Sequence, residues 1–239
     1  MSDTLVAIEG VTKRYGEILA VDDVSLSISR GEIYSLVGAN GAGKSTLLRM
    51  LVGITEVDAG RLVICGEDLS NRSQATRKHL GYLPEELVLY ERLTGREYLE
   101  LVVGLKDADA ARIPDELSFF ELLPVQHKLV GGYSLGMRKK LGLAAAMLGS
   151  AEVFVLDEPL NGLDVEMMRK LRHRIQDERK NGRAVLVASH VMSFVERVSD
   201  RVGIMRAGKL VAEATPAELR ATAGMPDLPF EDVFFYFAG

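Results

Sequence analysis

The stretch from Gly38 to Ser45, GANGAGKS, constrains this chain more than any other, because it follows the apolar run EIYSLV and precedes TLLRML. A glycine-rich turn between a buried strand and a helix matches the phosphate-binding loop in both residues and context. Gly38, Gly41 and Gly43, with Asn40 and Ala42 between them, let successive amide N–H groups curl around phosphate oxygens. The following helix presents its positive end to the same oxygens. Lys44 then reaches toward the β and γ phosphates, Ser45 is the magnesium ligand, and Thr46 stands beside them at the start of the helix.

The rest of the pattern predicts an α/β fold around that loop. EIYSLVG, VFVLD, AVLVASH and VGIM are short, rich in Val, Ile or Leu, and end at glycine or polar residues, as strands of a buried parallel sheet do. LVAIEGVTKRYG, VDDVSLSIS and RLVICG alternate more strictly and predict an antiparallel β subdomain beside it. Between residues 87 and 150 no strand-like run stands out, which predicts an inserted helical subdomain. Thr94 with Glu97 forms a capping box at its opening, with Leu93 and Tyr98 as a hydrophobic staple. Thr215, Pro216 and Glu218 form a second box near the C-terminus. The expected division is a phosphate-loop NTPase core at 1–86 and 151–220, a helical subdomain at 87–150 and a tail at 221–239.

Many enzymes use a phosphate loop, so the carboxylates decide among them. Asp157 and Glu158 follow the apolar strand VFVL, at the carboxyl edge where parallel sheets bind ligands. Asp157 is expected to hold magnesium, and Glu158 to polarise the water that attacks the γ phosphate. Apolar residues make up 47% of the chain and charged ones 26%, with a net charge of −5, a balance that argues against nonspecific nucleic-acid binding. The one cysteine, Cys65, excludes an internal disulfide and reads as a packed thiol. No N-terminal stretch resembles a signal peptide or a membrane span, so a cytoplasmic location is expected.

VGANGAGKST, YSLGM, VFVLDEP, NGLD and the ASH ending at His190 occur in an order and spacing that resembles the ATP-binding subunit of ABC transporters, over essentially the whole chain. The resemblance implies a Mg²⁺-dependent ATPase working as a head-to-tail dimer, with two ATP trapped between subunits. Its second ATPase subunit is expected to be another copy, and its membrane partner a separate integral permease at the inner face of the cell membrane. Carried over by resemblance, Tyr15 stacks on adenine and His190 contacts the γ phosphate. Asn161 to Asp164 cross toward the partner's site, and Asp164 also fits a cap for the helix that follows. GYLPEE with LYERLTGREYLELV resembles the bacterial drug and antibiotic exporters.

Two positions depart from the family pattern. Glu85 stands where glutamine is usual after YLP; it can still ligand magnesium but adds negative charge beside a triphosphate. In YSLGM the pattern LSGGQ keeps Ser134 and Gly136, while Leu135 replaces a glycine and Met137 a glutamine. Ser134 can cap a helix whose positive end faces the partner's γ phosphate, and Gly136 allows close backbone approach.

The run Arg138, Lys139, Lys140 reads as a solvated helix face, with partner contact as the alternative, and His79, His127 and His173 as surface residues without metal-ligand spacing. Phe230, Val233, Phe234 and Phe237 share a helical face expected to pack on the chain itself, partner contact being the sharper alternative. A soluble ABC-type ATPase remodelling a macromolecular complex is the alternative function. The chain has one phosphate loop and no sustained heptads, which favours transport. A phosphate-loop kinase is a further alternative, for which the sequence offers no evident acceptor lid.

Overall fold

Ile33–Gly38 is buried at every position, as a strand must be when both faces of its sheet are covered. The computed structural model describes residues 3–69 and 78–239, so residues 1–2 and 70–77 of the expected first core segment lie outside the described residues. In chain order the elements are Thr4–Tyr15 (β1), Ile18–Ser29 (β2), Ile33–Gly38 (β3), Lys44–Leu51 (α1), Ala59–Ile64 (β4), Glu67–Asp68 (β5) and Leu80–Leu83 (β6). Next come Gly95–Lys106 (α2), Ile113–Phe119 (α3), Leu135–Met147 (α4), Val153–Asp157 (β7), Val165–Lys180 (α5), Ala184–Ala188 (β8) and Met192–Val198 (α6). Arg201–Arg206 (β9), Lys209–Ala214 (β10), Pro216–Ala223 (α7) and Phe230–Ala238 (α8) follow.

Among the described residues the main sheet has the order β10-β9-β3-β8-β7-β6. Its strands pair in parallel except at the β9–β10 edge. The second sheet, β2-β1-β4-β5, is antiparallel throughout. The expected mixture of a mainly parallel core with an antiparallel partner is therefore what the chain adopts.

Alternation along β7 assigns the two faces. Phe154 and Leu156 join a core with Leu141 and Leu143 of α4 and Leu171 and Ile175 of α5. Val153 and Val155 join a second core with Leu47, Leu48 and Leu51 of α1 and the inner residues of the antiparallel sheet. The same alternation turns Asp157 toward α1, the face of the phosphate loop.

Residues 95–147 hold three α-helices. The Thr94–Glu97 box is present in both directions, with the Glu97 amide donating to Thr94 Oγ1 and the Thr94 amide to Glu97 Oε2. At the other end of α2, Lys106 Nζ donates to the carbonyls of Ala145, Ala146 and Leu148 at 2.8, 3.2 and 3.1 Å. These are the last carbonyls of α4, which have no partner within their own helix. The tail packs on its own chain: Phe230, Val233 and Phe234 of α8 are buried with Leu219 of α7 and Val202 and Ile204 of β9.

Candidate nucleotide site

β3 delivers the chain to the loop at Gly38, and Gly41 and Gly43 then take φ values of 81° and 103°, which L side chains rarely adopt. A Cβ at Gly43 would collide with the Ala20 carbonyl of β2, so glycine is required there on two counts. Lys44 Nζ donates to the Gly38 carbonyl at 2.6 Å and the Ala39 carbonyl at 3.2 Å, bracing the loop from within. The cleft above is lined by Asn40, Gly41, Ala42, Gly43, Lys44, Ser45 and Thr46 together with Glu85, Asp157 and Glu158. Three separate parts of the sequence thus meet at one edge of the sheet.

Each acid arrives by its own route. Asp157 is the last residue of β7 and is only 1% exposed. Burial pushes its carboxyl above the usual range, opposed by a hydrogen bond from Ser45 and reinforced by Glu85 and Glu158. Its Oδ1 has no hydrogen-bond partner although it is buried. Glu158 takes φ 46°, a left-handed conformation that costs a non-glycine residue about 1 kcal/mol, and its amide donates to the Ala188 carbonyl at 2.9 Å. Glu85 lies two residues beyond the end of β6. Burial lowers the Lys44 ammonium, while Glu158, Asp157 and Glu85 hold it up.

This donor set fits magnesium. A buried carboxylate oxygen without a partner, the Ser45 hydroxyl beside it and a further carboxylate are hard oxygen ligands of the kind a small divalent cation requires. The fit to a nucleotide rests on the backbone: a glycine loop wrapped around an amine at the N-terminus of α1 is a cradle for phosphate oxygens.

The family model described as ABC transporter matches residues 21–161, more than half of the chain and every residue lining this cleft. The chain belongs to the ABC transporter family. Like the ATP-binding members of that family, it hydrolyses ATP to power transport. The ABC chain is 36% identical over 228 residues to daunorubicin resistance ATP-binding protein DrrA3 of Streptomyces coeruleorubidus, covering 94% of this chain and 72% of that one. It is 35% identical over 224 residues to Nod factor export ATP-binding protein I of Rhizobium sp. (strain N33), covering 92% and 73%. A solved ATP-binding subunit of an ABC transporter superposes with a TM-score of 0.93 at 28% identity, covering 98% of this chain and all of that one.

The remaining expected residues of the ABC site fall at two places. His190, just past β8, lies with Nδ1 2.9 Å from Glu158 Oε2; the carboxylate accepts, so Nδ1 carries the hydrogen. Tyr15 ends β1 with its ring half exposed and Lys13 Nζ 5.6 Å from its centroid. The hairpin that follows brings Ala20 against Gly43, on the loop's side of the molecule.

Ser134 and Gly136 are not among the residues lining this cleft. Ser134 caps α4, its Oγ accepting from the Met137 amide at 3.2 Å. Gly136 lies against the NGLD loop, where a Cβ would approach the Gly162 carbonyl to 2.8 Å. Asp164 caps α5, accepting from the Met167 amide at 2.8 Å. The two segments expected to face a partner therefore form one exposed surface, with Leu135 standing out from it.

Two expectations from the sequence are corrected. The run Arg138–Lys140 is not a solvated face. Arg138 pairs with Glu91 at 2.8 Å and Lys140 with Glu121 at 2.7 Å, while Lys139 is buried, its Nζ 3.5 Å from the Asp157 carbonyl. The C-terminal part of α4 is enclosed on all sides, so local charge spacing does not report its exposure. His79 is likewise not a free surface residue. It bonds to Glu152 Oε1 at 3.0 Å, and Arg30 takes the other carboxylate oxygen at 2.7 Å. Cys65 completes this cluster, its thiol pushed up to about 11 chiefly by burial. The group is satisfied as a hydrogen-bonded and packed unit. No helix among the described residues is long and apolar enough to cross a membrane.

Proposed function

We propose that this ATPase works as a head-to-tail dimer with a second copy of the chain, at the inner face of the cell membrane. It drives export of a small molecule or ion through a separate integral permease. The observation that carries the dimer is the division of the expected ATP contacts: the loop and carboxylates line one cleft, while the helix cap Ser134 and its neighbour Gly136 lie outside it. A helix end that cannot serve its own cleft is suited to a cleft on another subunit. Export is supported by the resemblance of GYLPEE and its neighbours to bacterial exporters, and by relatives named for daunorubicin resistance and Nod factor export.

The residues divide the work as follows. Tyr15 stacks on adenine, and the amides of Asn40 to Thr46 hold the phosphates. Lys44 leaves its own loop carbonyls to bind the β and γ phosphates. Magnesium, held by Ser45 and Asp157 with Glu85 beside them, would offset charge on those phosphates. Glu158 accepts the proton of the attacking water, and His190 fixes its carboxylate while also reaching the γ phosphate. The division into a core at 1–86 and 151–220, a helical subdomain at 87–150 and a tail at 221–239 accompanies this reading. It is supported by the confinement of α2 to α4 within the insertion.

Two measurements test the reading. Purified protein should release free phosphate from ATP without an added acceptor, and Lys44→Ala should abolish it; phosphate transfer only to an acceptor would mean a kinase. Gentle detergent purification from the native membrane should recover an integral protein with this chain. Recovery only with ribosomes or nucleic acid would overturn the transport reading.

A further inference from the structure

Lys139 is the one member of its basic run without a surface partner. Arg138 and Lys140 lie on either side of it and are paired with Glu91 and Glu121 near solvent. Lys139 is 4% exposed and its ammonium points to the end of β7, 3.5 Å from the Asp157 carbonyl. A buried ammonium is costly unless acids surround it. Burial lowers Lys139, and Asp157, Glu158 and Glu85 are the groups that hold it up. These are the three acids that act on Lys44.

The edge of the sheet that carries these carboxyl groups is therefore approached by two lysines, Lys44 in the wall of the cleft and Lys139 at the Asp157 carbonyl. Lys44 comes from the face of the sheet occupied by α1, and Lys139 comes with α4 from the other face. Their tasks differ. When ATP is bound, the Lys44 charge is committed to phosphate oxygens. Lys139 stays with the acids. Glu85 adds a third carboxyl group where the family pattern has a neutral amide, so three acids line one cleft near these two lysines.

We propose that Lys139 is a positioning residue of the cleft, whose buried ammonium supplies the charge that lets Glu85 stand beside Asp157 and Glu158 as a triphosphate arrives. This rests on the ATPase reading of the same site. Lys139 is buried and is not among the residues that line the cleft. It keeps the acids close enough for Asp157 to ligand the metal and Glu158 to face the attacking water.

The test is a double-mutant cycle on the full chain, measuring kcat, KM for MgATP and thermal midpoint for wild type, Lys139→Met, Glu85→Gln and the double variant. Lys139→Met should lower kcat about tenfold with little change in KM, as loss of a nearby charge predicts. Glu85→Gln should restore most of that loss, and Lys139→Arg, which keeps the charge, should retain turnover. Wild-type kcat in Lys139→Met, or losses that simply multiply in the double variant, would overturn the proposal. If Lys139→Met does not fold, recovery of folding on adding Glu85→Gln supports it, and persistent unfolding overturns it. Absence of phosphate release by the wild type would instead refute the ATPase reading, so the two failures are distinct.

Discussion

His190 Nδ1 and Glu158 Oε2 stand 2.9 Å apart, joining the residues that follow two neighbouring parallel strands. The bond orients a carboxylate whose backbone is already in the left-handed region. Glu158→Gln keeps the shape but removes the base, so turnover should fall at least about 100-fold while ATP still binds. The variant should accumulate as an ATP-bound dimer by size-exclusion chromatography. His190→Ala should also lower kcat more than it raises KM. Wild-type turnover by Glu158→Gln would remove Glu158 from the role of base.

The buried Asp157 Oδ1 without a partner leads to a second expectation. Asp157→Asn removes a desolvated charge, so without magnesium the protein should unfold at a higher temperature, by the equivalent of about 1–3 kcal/mol. Added MgATP should then stabilise it much less than wild type. Thermal melts with and without magnesium give both comparisons; an unchanged MgATP shift would argue that the metal is held elsewhere.

Ser134→Arg removes a cap worth about 1 kcal/mol and adds bulk to an exposed surface. The fold and ATP affinity of the isolated chain should survive. Dimerisation in the Glu158→Gln background and ATP turnover in the wild-type background should both be lost. Retention of both would mean that this end of α4 does not meet a second subunit's nucleotide.

Lys106 holds three carbonyls at the end of α4. Lys106→Met preserves the buried stem and leaves those carbonyls without their donor, for an expected loss of about 1–3 kcal/mol. Urea unfolding monitored by circular dichroism measures it. A midpoint equal to wild type would show that water replaces the ammonium without cost.

What the sequence made legible is whatever local chemistry decides. The loop from Gly38 to Thr46, the strand ending at Asp157 and both capping boxes depend on neighbours within a few residues, and each forms as expected. β6 carries little local signal because LGYL is only four residues, and its Gly81 is required by distant groups: a Cβ there would collide with the Ala146 carbonyl and the Phe154 ring. The burial of Lys139 is as little marked locally, for a similar reason. Its flanking charges suggest solvent, whereas its burial is decided by packing of α4 against a strand whose carboxyl end lies 18 residues further along the chain. The cluster of Cys65, His79 and Glu152 joins three segments whose spacing carries no metal-site signal.

α4 is a rod of 13 residues, about 20 Å long. Ser134 sits at its outward tip, and Lys139, little more than one turn along it, lies against the Asp157 carbonyl at the edge of its own cleft. In a closed pair, each rod would have one foot in the chemistry of its own subunit and its tip against the nucleotide of the other. An event that moves one foot would then change how tightly the opposite nucleotide is gripped, and the reverse influence would be equally strong in free energy. Two such subunits would keep a shared clock rather than two independent ones, with the first phosphate released resetting the grip on the second.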